Sequence, residues 1–147
     1  MPLPDVFRWL PLSDRKGLPT PRVLFCDAPE FGGAFYCRTL SRAVDGLWLG
    51  LEFDRYEADH IVLSTHWGDT PGSVIAHEHR HLQQFYRGTS LPAIGVQQPF
   101  ADDGTYEGWR KAIRRYYRSM PWEMDALRYS MRTHRDQTAE QHFEVML

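Results

Sequence analysis

The run His77-Glu78-His79-Arg80-His81 sets two imidazoles and a carboxylate at a spacing that suits metal chemistry. On an α-helix, positions i and i+4 lie one above the other on the same face. His77 and His81 can therefore offer nitrogens to one metal ion. Glu78, one step round, can reach a water beside that ion. The residue types matter as much as the spacing. Neutral imidazole is a good zinc ligand, and a carboxylate is basic enough to take a proton from water whose pKa zinc lowers to about 7. His-Glu-x-x-His is an arrangement that zinc hydrolases use.

The flanking residues predict the helix this chemistry needs. Thr70 suits an N-cap, Pro71 the first helical position and Gly88 the residue beyond the last turn. Val74, Ile75, Leu82, Phe85 and Tyr86 recur at helical spacing and form an apolar arc. Arg80, Gln83 and Arg87 point the other way, and His79 reads as a surface residue on that polar side. His77 and His81 flank the arc. Glu78 falls inside it, where a carboxylate is costly unless something pairs with it.

Two histidines need at least one further protein ligand, and Glu123 is the best candidate. Ser119 and Pro121 predict the start of a second helix, on which Glu123, Ala126, Leu127, Ser130 and His134 share one stripe. The small Ala126 and Ser130 let a neighbouring helix come close. Asp125 points to the opposite side. His134 lies about 16 Å further along the axis, at 1.5 Å per residue, and cannot easily share an ion with Glu123.

With these residues in hand, the chain resembles the small His-Glu-x-x-His metallopeptidases of the gluzincin type. Glu123-x-x-Ala126-x-x-Tyr129-Ser130 is similar to the ImmA/IrrE-like branch, and Gln83-Gln84 resembles other minimal bacterial and phage-borne members. The resemblance spans about residues 60–131 and rests mainly on two short motifs. It implies zinc held by His77, His81 and Glu123, with Glu78 as general base. Other zinc classes fit less well: the metzincin extension needs a glycine and a histidine where Gln84 and Arg87 stand, and the inverted His-x-x-Glu-His motif is absent.

The expected activity is zinc-dependent hydrolysis of a peptide or protein substrate. The alternative is a non-catalytic structural or interaction domain, such as a phage-associated one, whose metal site is structural or decayed. A structural site is closed by four protein ligands. That would require His79, His66 or Asp125 to complete the shell. His66, Tyr116, Tyr117 and Tyr129 are open candidates for stabilising an oxyanion, a role that needs a donor aimed at developing charge.

The rest of the chain predicts one domain over residues 1–147. At 42% hydrophobic and 14% aromatic content it can bury a real core. A formal charge of −2 and a pI near 6.4 exert no global pull toward nucleic acid or an anionic membrane, so neither partner is expected. The basic face of the predicted helix over residues 106–118 reads as a solvated surface beside apolar Trp109, Ala112, Ile113, Tyr116 and Tyr117. No segment reads as a signal peptide or membrane span, so a cytoplasmic location is the expectation. Cys26 and Cys37 read as reduced core thiols.

The fold class expected is α+β, a small and mainly antiparallel sheet packed on about three helices, in a zincin-like minimal metallopeptidase domain. Residues 1–22, with five prolines, should be mostly extended, and residues 137–147 form a C-terminal tail. Strands are predicted at Val23–Cys26, Ala34–Leu40, Leu47–Phe53 and Ile61–Ser64. By analogy with zinc peptidases, Ile61–Ser64 is an edge strand that could pair with an extended substrate. Residues 89–104 form a long loop between the two metal-bearing segments.

Overall fold

The computed structural model describes residues 7, 10–27, 33–37, 42–43, 59–66, 72–88 and 103–134. Their elements run α1 (Leu12–Arg15), β1 (Arg22–Cys26), β2 (Gly33–Cys37), β3 (Arg42–Ala43), β4 (His60–Ser64), α2 (Gly72–Tyr86), α3 (Tyr106–Arg118) and α4 (Pro121–Thr133). The predicted strand Leu47–Phe53, the N-cap at Thr70, most of the 89–104 loop and the 137–147 tail lie outside the described residues. No described helix is long and apolar enough to cross a membrane.

The chain mixes helix and strand as expected, and its sheet is mixed: β2 pairs antiparallel with both β3 and β4, while β1 and β4 form a parallel pair that the turn signals did not suggest. The strand order is β1-β4-β2-β3. β4 pairs in parallel with β1, Val23 opposite Ile61, and antiparallel with β2, Phe35 opposite Ile61. β4 is therefore central, not an edge, and each of its five residues is buried. The run Ile61-Val62-Leu63 has the continuous apolar character of a strand covered on both faces. With both sides paired, its backbone is not open to an extended peptide. The parallel ladder ends where the Thr65 backbone N–H donates to the Cys26 carbonyl at 2.7 Å.

The same register separates the cysteines. Cys26 lies opposite Ser64 and Tyr36 opposite His60, so Cys26 and Cys37 sit toward opposite ends of β4. Four residues of strand span about 13 Å, well beyond the reach of a disulfide. Cys26 is a free, half-buried thiol whose pKa is raised by burial and by neighbouring Asp27.

Helix α2 packs on this sheet through Ile75, Ala76 and Leu82, which join Phe35, Ile61 and Leu63 in the core. Each fully buried Ile, Leu or Phe among them contributes about 1.5–3 kcal/mol. The N-terminal segment departs from the extended reading. Phe7 and Leu10 are buried in the same core, and the one-turn α1 follows them. Helix α4 runs antiparallel to α2: the Trp122 carbonyl accepts from Gln84 at one end, and the His134 ring covers Gly72 at the other.

The helix ends show where sequence signals were right and where they were misassigned. Gly88 takes a φ of 86° just past α2, a conformation glycine adopts without penalty. Pro121 opens α4, but the preceding cap is Met120. Ser119, expected to start α4, closes α3 instead, its N–H bonded to the Arg115 and Tyr117 carbonyls. Thr105 caps α3 by accepting from Gly108 N at 3.0 Å.

Candidate metal centre

Helix α2 is enclosed on three sides, and each side presents different chemistry. Against the sheet lies Glu78, only 2% exposed. Gly33 on β2 makes room for it, since a Cβ there would sit 3.0 Å from Glu78 Cγ and 2.9 Å from Val74 Cγ1. The buried carboxylate expected on the apolar arc is thus present, held where β2 lacks a side chain.

Against α4 lie His77 and His81. Their rings are 5.1 Å apart and nearly perpendicular. Glu123 reaches both. Its Oε2 is 3.1 Å from His77 Nε2 and its Oε1 is 2.8 Å from His81 Nε2. All three residues are buried, His81 completely. One ligand atom from each lies within 4.8 Å of the other two, close enough to hold one metal ion. Ala126 and Ser130 are also buried on this stripe, where their small size permits the close approach of α2 and α4.

The donors suit a divalent cation. Two imidazoles and one carboxylate carry a single negative charge when the imidazoles are neutral. At 2.8 Å, His81 Nε2 and Glu123 Oε1 are within hydrogen-bond range yet lack hydrogen-bond geometry, and Glu123 Oε1 is buried. A tetrahedral zinc site spaces such donors about 3.3 Å apart, so small outward shifts of these side chains would accommodate one ion.

Against the N-terminal segment lies the side of α2 that its periodicity marked as polar surface. His79 is not on the surface. It is 2% exposed, its ring 5.1 Å from that of Phe7, and its Nδ1 accepts from Gln83 Nε2 at 2.9 Å. Gln83 also donates to the Tyr129 hydroxyl, which in turn donates to Asp14 Oδ2 at 3.0 Å. The periodicity located this face correctly but not its cover, because Phe7 and Leu10 come from a segment whose prolines obscured them.

Asp125 also differs from expectation. It is not part of the metal cluster, yet it faces α2 rather than pointing away. Arg80 grips it at two points, Nε to Oδ2 at 2.8 Å and a terminal nitrogen to Oδ1 at 3.3 Å, and Gln84 Nε2 donates to Oδ2 at 2.8 Å. The Arg80 hydrogen bond, followed by that from Gln84, holds the Asp125 carboxyl below the usual carboxylate range. Arg80 is correspondingly raised, chiefly by the same bond, while its guanidinium lies 4.7 Å above the Tyr129 ring. Burial pushes the Tyr129 phenol up.

The open candidates for a donor near the metal are now separated. Tyr129 is committed to Asp14 and Gln83. His66 is exposed at the end of the β1–β4 pair, with Nδ1 2.8 Å from Asp27 Oδ1. Tyr117 comes to the site, its ring edge-on to His77 at 6.4 Å. The side chain of Tyr116 lies outside the described residues. His134 caps α4 and is not among the clustered ligands.

One contact was overlooked in the sequence. Gln84 Oε1 lies 2.8 Å from His81 Nδ1, on the ring edge opposite Glu123. The i, i+3 spacing from His81 was the available signal. No protein family, characterised protein or solved structure matches the chain.

Proposed function

We propose that this chain is a zinc-dependent hydrolase, a metallopeptidase in which His77, His81 and Glu123 hold the metal and Glu78 is the general base. The observation that carries this reading is the buried convergence of two Nε2 atoms and one carboxylate from α2 and α4. Two histidines and a glutamate are a donor set of catalytic zinc, one that leaves a fourth position for water or substrate. Bound zinc would supply Lewis acidity, making water a stronger acid and polarising a substrate carbonyl. Glu78 would accept a proton at its carboxylate and return it to the leaving amine. Its buried position, next to His77 in the chain, supports this role, because stability alone would favour an apolar residue there.

The structural-site alternative is less well supported. The three side chains considered as a fourth ligand are engaged elsewhere: His79 with Gln83, His66 with Asp27 and Asp125 with Arg80. Among the described residues the cluster has three members. The experiment is Glu78→Gln, assayed against a peptide library with and without added zinc. The expected variant retains zinc and loses hydrolysis. Hydrolysis at the wild-type rate would remove Glu78 from the mechanism.

A further inference from the structure

We propose that Gln84 is a positioning residue that fixes the proton of His81 on Nδ1, leaving Nε2, beside Glu123, as the lone-pair donor for the metal. The inference rests on the metal-site reading above and concerns a residue outside the His-Glu-x-x-His pattern. It begins with the orientation of the Gln84 amide. The amide nitrogen is 2.8 Å from the Trp122 carbonyl oxygen and 2.8 Å from Asp125 Oδ2. A carbonyl and a salt-bridged carboxylate are both acceptors, so both amide N–H groups are used there. Reversing the amide would set oxygen against oxygen at two contacts.

Gln84 Oε1 must then face His81 Nδ1, at 2.8 Å. An amide oxygen only accepts, so Nδ1 carries a hydrogen. A neutral imidazole has one N–H, and Nε2 is left as an acceptor. That atom lies 2.8 Å from Glu123 Oε1, itself an acceptor. Two acceptors at that distance repel unless a cation binds both. The Gln84 contact therefore prepares the His81–Glu123 pair for a metal ion instead of for a neutral hydrogen bond.

The support behind Gln84 is itself held firmly. Asp125 is gripped at two points by Arg80, and Arg80 also donates to Gln83 Oε1 at 2.8 Å. One turn of α4 thus provides three things: the ligand Glu123, and the Trp122 and Asp125 acceptors that orient the partner of His81. This outer layer opens onto a surface cavity of about 340 Å³, lined in part by Arg80, Gln84, Trp122 and Asp125. Gln84 is the link between that cavity and the buried ligand.

The test compares Gln84→Met with Gln83→Met in the full chain. Both variants remove a buried amide from the same helix, but only Gln84 touches a ligand. Zinc affinity is measured by competition with a chromogenic chelator, and the His81 ring is followed by ¹⁵N NMR on zinc-free protein at about pH 9, above the ordinary imidazole pKa of about 6.5. Wild type is expected to carry a proton on His81 Nδ1. Gln84→Met should lose that preference and bind zinc about 10–100-fold more weakly, whereas Gln83→Met should bind as wild type does. A wild-type ring protonated on Nε2 alone would overturn the proposal, as would unchanged zinc affinity in folded Gln84→Met. Should the wild type bind no zinc, the metal reading fails, and the NMR result still decides the Gln84–His81 claim. The wild-type spectrum decides it equally if Gln84→Met does not fold.

Discussion

Helices α2 and α4 meet through two carboxylates, and the two are treated differently. Asp125 receives a guanidinium at two points and an amide N–H, so every close partner is a donor. Around it, Gln83, Tyr129 and Asp14 continue the alternation of donor and acceptor. Glu123, one half-turn away, receives two imidazole nitrogens, and the Gln84 contact directs one of them as an acceptor. The first cluster has the composition of a lock between helices. The second has the composition of a cation site. Burial alone does not separate them, since both hold deeply buried polar atoms; the sense of the hydrogen bonds does.

Changes confined to one cluster should therefore leave the other's signature intact. The largest effect is expected at Gly33, which packs against Val74 and Glu78 on the sheet side of α2. Gly33→Ala forces a Cβ to within 2.9 Å of Val74 Cγ1 and 3.0 Å of Glu78 Cγ. Overpacking of this kind costs about 1–3 kcal/mol. Chemical denaturation should show that loss, and any hydrolytic rate should fall with the displaced Glu78 while zinc remains bound.

Tyr129→Phe probes the lock. It deletes the hydroxyl between Gln83 and Asp14 and should cost about 1–2 kcal/mol, because buried Gln83 and half-buried Asp14 lose a hydrogen bond together. Zinc affinity should be unchanged. A parallel fall in affinity would show that the two clusters are one cooperative unit.

The smallest effect concerns acid. The Asp125 carboxyl titrates below its usual range in the folded chain, chiefly through Arg80. A depressed carboxyl contributes stability that is present above the unfolded pKa, about 3.9, and is lost as pH falls through the lower folded value. Asp125→Asn should flatten the acid side of the stability–pH curve across that window. The group is partly exposed, so the change should be modest. An unaltered acid limb would mean that the Arg80–Asp125 pair does not contribute to stability in solution.

How far the sequence reveals this arrangement depends on whether the information is local. The histidine pair, Glu78 and the Glu123 stripe follow from helical periodicity, and α2 and α4 bring His77, His81 and Glu123 together, with Glu78 on the sheet side of α2. Helix α3 was legible for the same reason. The centrality of β4 was not, because its partners β1 and β2 are chosen by long-range pairing that turn residues do not encode. His79 was misread because a helical wheel gives the direction of a side chain but not its cover, here Phe7. Asp125 was misjudged because its partner, the long Arg80 side chain, reaches across the helix interface. Gln84 was visible only as a motif neighbour until its three contacts showed which way its amide must point.

The most direct test of the central claim is metal content, measured on protein purified without a nickel column or chelator, for wild type and for Glu123→Ala. About one zinc per wild-type chain is expected of a single three-ligand site, with sharply weakened binding in the variant. A wild-type chain that takes up no zinc even after incubation with it would contradict the account. So would a full zinc complement in Glu123→Ala, which would assign the third ligand to another residue.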